Sequence, residues 1–408
     1  MPDWPAPQPS HAQPPSFAKA WEVLLAFLKL GLTAFGGPVA HLGHLRTEFV
    51  ERRRWLSDAA YSDLVALCQF LPGPASSQVG MALGLRRAGA WGALAAWVGF
   101  TLPSALALIA FAHGATQWVD GAGAGVLQGL KVVAVAVVAQ AVWGMARSLC
   151  PDAWRAGIAV AALGWVWAWP TALGQVAALV LGGLIAHWAL RLPALPPMTH
   201  EAVGIGRRTG AVLLGLFVVL LLLLPLMASV SSRPEWAAVS VFYQAGALVF
   251  GGGHVVLPWL QSGVVPPGWV SHEVFVAGYG AAQAVPGPLF TFAAYLGAAM
   301  PAPWGGWSGG LALLAVIFLP AFLVLAGALP FWELLRQRAG VQRAMAGVNA
   351  AVVGVLAAAW VDPVATSALH GSTDVALALG AFALLVWARW SPVAVVALAA
   401  ALGGVWGG

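Results

Sequence analysis

The polar positions of this chain fall in short clusters, and long apolar runs stand between them. Thirteen such runs lie near 20–42, 60–84, 91–113, 126–147, 155–169, 172–190, 209–231, 237–259, 274–298, 309–330, 344–361, 375–389 and 392–407. A helix needs about 20 apolar residues to cross a bilayer, and most of the runs reach that length. They are rich in Ala, Leu, Val and Gly, as helices packed in lipid are. None shows the apolar–polar alternation of a membrane β-barrel strand. The pattern predicts an all-α polytopic membrane protein. The run at 155–169 covers only about 22 Å at the helical rise, so whether it stands apart from 172–190 is open at the level of sequence.

The pattern also repeats. Phe27, Gly31 and Phe35-Gly36-Gly37 return as Phe242, Gly246 and Phe250-Gly251-Gly252. Trp55-Leu56-Ser57 returns as Trp269-Val270-Ser271, and Gln69 with Pro72-Gly73-Pro74 returns as Gln283 with Pro286-Gly287-Pro288. Leu102-Pro103 matches Leu319-Pro320, Gly129 matches Gly347, and Leu181-Gly182-Gly183 matches Leu402-Gly403-Gly404. The matches keep their order while the spacing drifts slowly, as small loop insertions would make it do. The expected organisation is a disordered tail at 1–19, one transporter-like repeat at 20–190, a linker with an extra transmembrane helix at 191–236, and a second repeat at 237–408. The tail, rich in Pro and Gln, lacks the charged start and cleavage site of a leader peptide.

The first runs of the two halves are seven runs apart, an odd number, so the halves face opposite ways if every run crosses once. Charge supports this independently. The loops at 43–59 and 85–90 carry Arg46, Arg52, Arg53, Arg54, Arg86 and Arg87, whereas their counterparts at 260–273 and 299–308 carry no Lys or Arg. Conversely 114–125 has none, and its counterpart carries Arg336, Arg338 and Arg343. Positive residues stay on the cytoplasmic side, so the two homologous halves form an inverted repeat, the basis of alternating access in many secondary transporters. Simple crossings, however, place the two Arg-rich loops on opposite sides. Broken, re-entrant helices in the first two runs of each half, at Phe35-Gly36-Gly37-Pro38 and Pro72-Gly73-Pro74, keep both loops inside and preserve the inversion. Both topologies stand at this point.

Composition narrows the function classes. Hydrophobic residues make up 61% of the 408 and charged residues 8%, against about 25% charged in soluble domains. A soluble fold cannot hide so much apolar surface. The net charge of +5 sits in short loop clusters and offers no broad basic face, so nucleic acid is excluded as a partner. The partners expected are the lipid bilayer and a small ligand, with a homodimer kept as a candidate. The 22 Trp read mostly as interfacial belts. Cys68 and Cys150 lie within and at the end of apolar runs and read as buried free thiols. The three lysines are followed by Ala, Leu and Val, so no Walker A motif exists, and His200-Glu201 and His272-Glu273 lack the second histidine of a metalloprotease. The sequence calls for no catalytic residue, no metal and no cofactor.

Pro-Gly-Pro inside an apolar run must break a helix, and the second proline suits the start of a new one. Free backbone N–H groups at Ala75, Ser76 and Ser77, and at Leu289, Phe290 and Thr291, then face the break. Helix starts of this kind bind anions. The hydroxyls of Ser76, Ser77 and Thr291 and the amides of Gln69 and Gln283 add donors beside Gly73 and Gly287. Irregular backbone at membrane depth is tolerated only in protein or along a cavity, so the two breaks suggest an anion site, against the plainer reading of structural kinks. Gly36, Gly37, Gly251 and Gly252 allow close backbone approach, to a ligand or to a packed helix. Lys29 inside the first run is either a counter-charge for the anion or a side chain snorkelling to the interface. His41, His254 and Asp63 are candidates for proton coupling, with ordinary interfacial hydrogen bonds or salt bridges as the alternative.

The stretch from Leu32 to Ser104 resembles the chromate ion transporter (CHR) family. The matching residues are Thr33-Ala34-Phe35-Gly36-Gly37-Pro38 with His41, then Glu48-Phe49-Val50 with Arg52-Arg53 and Trp55-Leu56, then Gln69-Phe70-Leu71-Pro72-Gly73-Pro74-Ala75-Ser76-Ser77-Gln78, and Gly99-Phe100-Thr101-Leu102-Pro103-Ser104. The second half carries a weaker version in Phe250-Gly251-Gly252-Gly253-His254 and Gln283-Ala284-Val285-Pro286-Gly287-Pro288. The resemblance covers essentially the whole chain, as the long two-domain form. It implies export of chromate from the cytoplasm across the inner membrane, linked to the proton-motive force and conferring chromate resistance. Sulfate, another tetrahedral dianion, is the alternative substrate, and a non-transporting membrane scaffold is the alternative of a different kind.

Overall fold

The computed structural model describes residues 17–35, 37–118, 124–192, 205–231, 233–250, 253–332, 334 and 338–406. Gly36, Gly251, Gly252, Arg336 and residues 1–16 of the expected tail lie outside them. Among the described residues every regular element is helical.

The first apolar run is two helices. Helix α1 (Phe17–Thr33) stops before Gly36-Gly37-Pro38, and α2 (Gly37–Arg46) starts on a glycine at φ +75° and continues as a π-turn, Thr47–Arg52. The second run is likewise divided. Helix α3 (Asp58–Phe70) is capped by the Ser57 hydroxyl, which accepts from the Ala60 amide at 3.2 Å, and it ends at Pro72-Gly73-Pro74. Helix α4 (Ala75–Trp118) departs from helical geometry at Ala88 and Gly89. Continuous helix would hold Gly84 and Gly92 about 12 Å apart along the axis. Instead a Cβ on Gly84 would stand 2.2 Å from the Gly92 carbonyl oxygen, so the two arms of α4 fold back on each other.

Ion pairs show where these pieces begin and end. Glu22 and Lys29 of α1 meet Arg53 (3.7 Å) and Glu48 (3.9 Å) in reversed order, so α2 and its π-turn run back along α1. Arg87, at the end of the first arm of α4, bonds Glu22 at 2.9 Å and lies 5.1 Å from the ring centroid of Trp55, which precedes α3. Residues 58–87 therefore leave one face and return to it. Helix α3 spans 13 residues, about 20 Å, too short to cross alone. The structure thus answers the question of spanning or re-entry in favour of re-entry, and the Arg46, Arg52–54 and Arg86–87 groups share one side.

The chain continues through α5 (Ala124–Leu149), α6 (Ala153–Ala168), α7 (Ala172–Ala189) and α8 (Arg207–Val230). Helices α6 and α7 are separate, each with its own side-chain cap, from Asp152 and Thr171. The second half repeats the first: α9 (Pro234–Ala247), α10 (Val256–Val264), α11 (His272–Ala282), a 3₁₀ turn at Leu289–Thr291, α12 (Phe292–Ala299), α13 (Gly306–Ala328), α14 (Ala339–Ala359), α15 (Ser372–Val386) and α16 (Pro392–Trp406). Ser271 caps α11 by accepting from the Val274 amide, as Ser57 caps α3. Left-handed backbone recurs at equivalent places: Arg54 and Gly268 (φ +53° and +75°), Gly73 and Gly287 (+119° and +86°), Gly89 and Gly306 (+62° and +59°).

Among the described residues five stretches are long and apolar enough to cross a membrane: Ala75–Gly114, Gln128–Leu149, Arg207–Val230, Gly306–Phe331 and Ala339–Asp362. Between α1 and α9 the chain crosses with the second arm of α4, with α5 and with α8, and α6 and α7 cross or return as a pair. The count is odd either way, which inverts the second half. The halves also interlock. Helix α5 packs on α15 and α16, and α14 packs on α6 and α7. The contact points are repeated glycines. A Cβ on Gly129 would stand 2.1 Å from the Ala399 carbonyl oxygen, and one on Gly347 would stand 2.1 Å from that of Gly182. Helix α8 lies outside both repeats, held by Gly210 against Gly327 and by the Tyr243 hydroxyl donating to the Phe217 carbonyl. Its remaining apolar face is exposed, as a lipid-facing helix is.

Candidate functional site

Each Pro-Gly-Pro break docks on the glycine-rich break of the other half. The Gly73 amide donates to the Val249 carbonyl at 2.7 Å, just before Phe250-Gly251-Gly252. The Gly287 amide donates to the Ala34 carbonyl at 2.9 Å, just before Phe35-Gly36-Gly37. Only glycine fits at these crossings. A Cβ on Gly287 would stand 2.8 Å from the Phe100 carbonyl oxygen and 3.1 Å from Ser104 Oγ; one on Gly73 would stand 2.8 Å from Gln78 Nε2 and 3.4 Å from Ala321 Cβ. Ser104 and Ala321 are equivalent positions, so the two crossings share a geometry and differ in chemistry. The Ser104 hydroxyl donates to the Pro286 carbonyl across the halves, whereas Gln78 Nε2 donates to the Pro72 carbonyl within its own half at 2.8 Å.

At the Gly287 crossing the structure leaves a cavity of about 60 Å³. Gly37, Pro38 and His41 line it from the first half's glycine break, His254 lies opposite, and Ala282, Gln283, Val285, Gly287 and Leu289 line it from the second Pro-Gly-Pro turn. Val137 and Gln140 of α5 and Pro392 of α16 close it. Among the described residues, no Lys, Arg, Asp or Glu lines it. Its polar groups are donors or can become donors. Gln283 Nε2 and His41 Nδ1 are buried with no protein partner. His41 Nε2–H donates to the Ala34 carbonyl at 3.1 Å, the same oxygen that holds the Gly287 amide. His254 Nδ1 hydrogen-bonds the Tyr279 hydroxyl at 2.6 Å, and Gln140 Nε2 makes a long bond of 3.4 Å to the Leu385 carbonyl. A buried donor without a partner costs roughly 1–3 kcal/mol, and an acceptor in the cavity relieves that cost.

The cavity gathers Gly37, His41, His254, Gln283 and Gly287 from the residues singled out in the sequence. Others lie apart from it. Lys29 is half exposed beside Glu48, Gln69 is exposed on α3, and buried Asp63 accepts from Trp332 Nε1 at 3.3 Å. The Thr291 hydroxyl and amide both donate to the Pro288 carbonyl, so its donors are already committed. Ser76 and Ser77 are buried behind Gly73 at the start of α4, next to Ala75, and Ser77 Oγ has no partner. Gln140 and Ser104 joined no site in the sequence reading. Gln140 carried a signal, an amide alone inside an apolar run, since polar groups at membrane depth are costly. The stretch Gly306-Trp307-Ser308-Gly309-Gly310 has the spacing of a hydrolase nucleophile turn, but it opens α13 and follows no strand, which that turn requires.

The comparisons with known proteins agree with this architecture. The Chromate transporter family model matches twice, over residues 21–188 and 236–405. The chain is 31% identical over 400 residues to a chromate transport protein of Pseudomonas aeruginosa, covering 94% of this chain and 91% of that one. It is 28% identical over 396 residues to a chromate transport protein of Cupriavidus metallidurans, covering 94% and 92%. An uncharacterized transporter of Bacillus subtilis, YwrA, is 36% identical over 87 residues, 21% of this chain and 49% of that one. No solved structure matches. The two family matches fall on the two inverted halves whose breaks meet at the cavity, and the chain is a multi-pass membrane protein that belongs to the chromate transporter family.

Proposed function

We propose that this chain carries chromate out of the cytoplasm as a secondary transporter linked to the proton-motive force, and so confers chromate resistance. The observation that carries the reading is the cavity at the Gly287 crossing. Both halves line it, and among the described residues it holds one unpartnered donor, Gln283 Nε2, an imidazole nitrogen of His41 that becomes a donor on protonation, and no carboxylate. An oxyanion there takes hydrogen bonds from Gln283 and Gln140, from the imidazoles once they are protonated and from the helix start after Pro288. His41 and His254 are the titratable side chains lining it, which makes them the proton-coupling pair in preference to Asp63. Residues 20–190 and 237–408 act as the two moving halves, and 191–236, with α8, joins them. Rocking one half against the other exchanges the Gly287 and Gly73 crossings and exposes the anion to each side in turn.

Electrostatics favours export. One charge moved across 100 mV is worth about 2.3 kcal/mol, so a dianion leaving an inside-negative cell gains about 4.6 kcal/mol per 100 mV. Uptake of labelled chromate into everted membrane vesicles tests the proposal. The expected result is saturable uptake that falls when the proton gradient is collapsed. Uptake of sulfate with indifference to chromate moves the substrate to sulfate. Flux of neither anion removes the transport reading in favour of a scaffold.

A further inference from the structure

Two polar residues that line the cavity, His254 and Gln283, meet at a side chain that does not line it, Tyr279 of α11. Tyr279 is fully buried, and its ring packs edge-on against Phe292 with centroids 5.7 Å apart. Its hydroxyl meets His254 Nδ1 at 2.6 Å. The Gln283 amide, one helical turn on, lies beside the same hydroxyl without satisfying its own nitrogen. One phenol therefore links the titratable side chain and the unpartnered donor that the second half brings to the cavity. In the first half the equivalent positions are Val39 and Val65, so the whole link belongs to one half. It also differs from the tie of His41. The Ala34 carbonyl only accepts, from His41 Nε2–H, whereas a phenol both donates and accepts. Tyr279 can donate to Nδ1 of the neutral His254 ring and accept from Nδ1–H of the charged one. In the second case its own hydrogen turns to the Gln283 amide oxygen, which leaves the Gln283 nitrogen for the anion. Few other charges bear on His254. Its turn, Gly253–Val255, packs on α10, α14 and the Leu289–Thr291 turn. Neither α10 nor the Leu289–Thr291 turn carries a titratable side chain, and Arg343, the charged residue of α14, stands near its start. His272 and Glu273 open α11, about two turns before Tyr279. His41 faces His254 across the cavity.

We propose, on the reading that this cavity holds the transported anion, that Tyr279 is a positioning residue of the site, coupling the charge on His254 to the hold of the Gln283 amide on the anion. A proton on His254 then supplies two donors to the anion in place of one. By linkage, bound anion favours the charged ring to the same degree.

The test is chromate uptake into everted vesicles over a range of external pH. Variants are compared at each pH, so the titration of chromate itself cancels. Tyr279→Phe keeps the ring and removes only the hydroxyl. Hydrogen bonds to charged groups are stronger than neutral ones, so its loss disfavours the charged ring. The pH at which affinity falls should move about one unit lower. Fluorotyrosine at position 279, a weaker acceptor of nearly the same shape, should move it the same way and serves if Tyr279→Phe does not fold. Tyr295→Phe removes another buried hydroxyl, which donates to the Val274 carbonyl at 3.0 Å and does not line the cavity. It should leave the profile in place. If both Tyr279 variants keep the wild-type profile while His254→Gln raises the half-saturating concentration, the role of Tyr279 is overturned and the cavity reading stands. If His254→Gln and Gln283→Glu also behave as wild type, the cavity reading falls and this proposal with it. An equal shift in Tyr279→Phe and Tyr295→Phe reports general loosening and overturns the proposal too.

Discussion

The side-chain nitrogen of Gln283 is buried in the cavity with no partner among the described residues, so its hydrogen bond is available to an anion. Gln283→Glu keeps an acceptor oxygen, removes the donor and adds negative charge. Hydrogen bonds to charged groups are worth about 1.5–3 kcal/mol. The half-saturating chromate concentration in vesicles should therefore rise about tenfold or more, with the thermal unfolding midpoint in detergent nearly unchanged. Unchanged flux would remove Gln283 from the site. Arg54 makes the opposite kind of prediction, one about stability. It sits at φ +53° where the other half has Gly268 at +75°. Left-handed backbone costs a residue with a Cβ about 1–2 kcal/mol, so Arg54→Gly should raise stability by up to about 1 kcal/mol, read as a higher unfolding midpoint, while Arg52 and Arg53 keep the face basic. At this scale the sequence was informative where a residue had only one role open to it. Pro-Gly-Pro cannot continue a helix, so Gly73 and Gly287 were legible as breaks. Lys29 was not, because its cost of burial depends on where α2 returns, and the π-turn after α2 brings Glu48 beside it.

Helices in lipid gain little from burying apolar surface and associate through close packing of small residues. That places the energetics of this fold at its glycine contacts. Gly347→Val should separate α14 from α7, because a Cβ there meets the Gly182 carbonyl oxygen at 2.1 Å and Ala186 Cβ at 2.3 Å. Neither is a flexible side-chain end that could move aside. The expected outcome is loss of monodisperse protein on size-exclusion chromatography. Gly380→Ala on α15, where nothing lies within 4 Å, should leave the elution profile intact. Equal behaviour of the two variants would mean that the interlock does not hold the halves together. Most elements were legible in the apolar runs. What the runs could not show was the fold-back within them, because a re-entrant pair and one long crossing share the same apolar length. The Arg87–Trp55 contact settles it through a pairing far apart in the chain, and the Gly84–Gly92 approach through a reversal at Ala88 and Gly89 that apolar content does not encode. The same holds for the Gly73–Val249 and Gly287–Ala34 crossings, whose partners are far apart in the chain though each glycine was recognisable on its own.

Inversion of the halves is the property of the whole molecule on which alternating access rests, and it assigns opposite sides to two loops of equivalent structure. Arg54, before α3, and Pro267, before α11, lie in those loops, and both are exposed. In a background with Cys150→Ser, where Cys68 is fully buried, Arg54→Cys and Pro267→Cys each give one accessible thiol. A membrane-impermeant maleimide should label Arg54→Cys in everted vesicles and spare it in right-side-out ones, and Pro267→Cys should show the reverse. Labelling of both from one side would require an even number of crossings between α1 and α9. The Gly73 and Gly287 crossings would then face the same way, and exchanging them could not move an anion across the membrane. Opposite labelling makes the two crossings gates related by a pseudo-two-fold axis around one site. The polar differences between them then gain a function: Ser104 ties the Gly287 gate across the halves, whereas Gln78 holds the Gly73 turn from within its own half. Two gates tied in different ways need not open with equal ease, and a carrier that favours one direction requires that asymmetry.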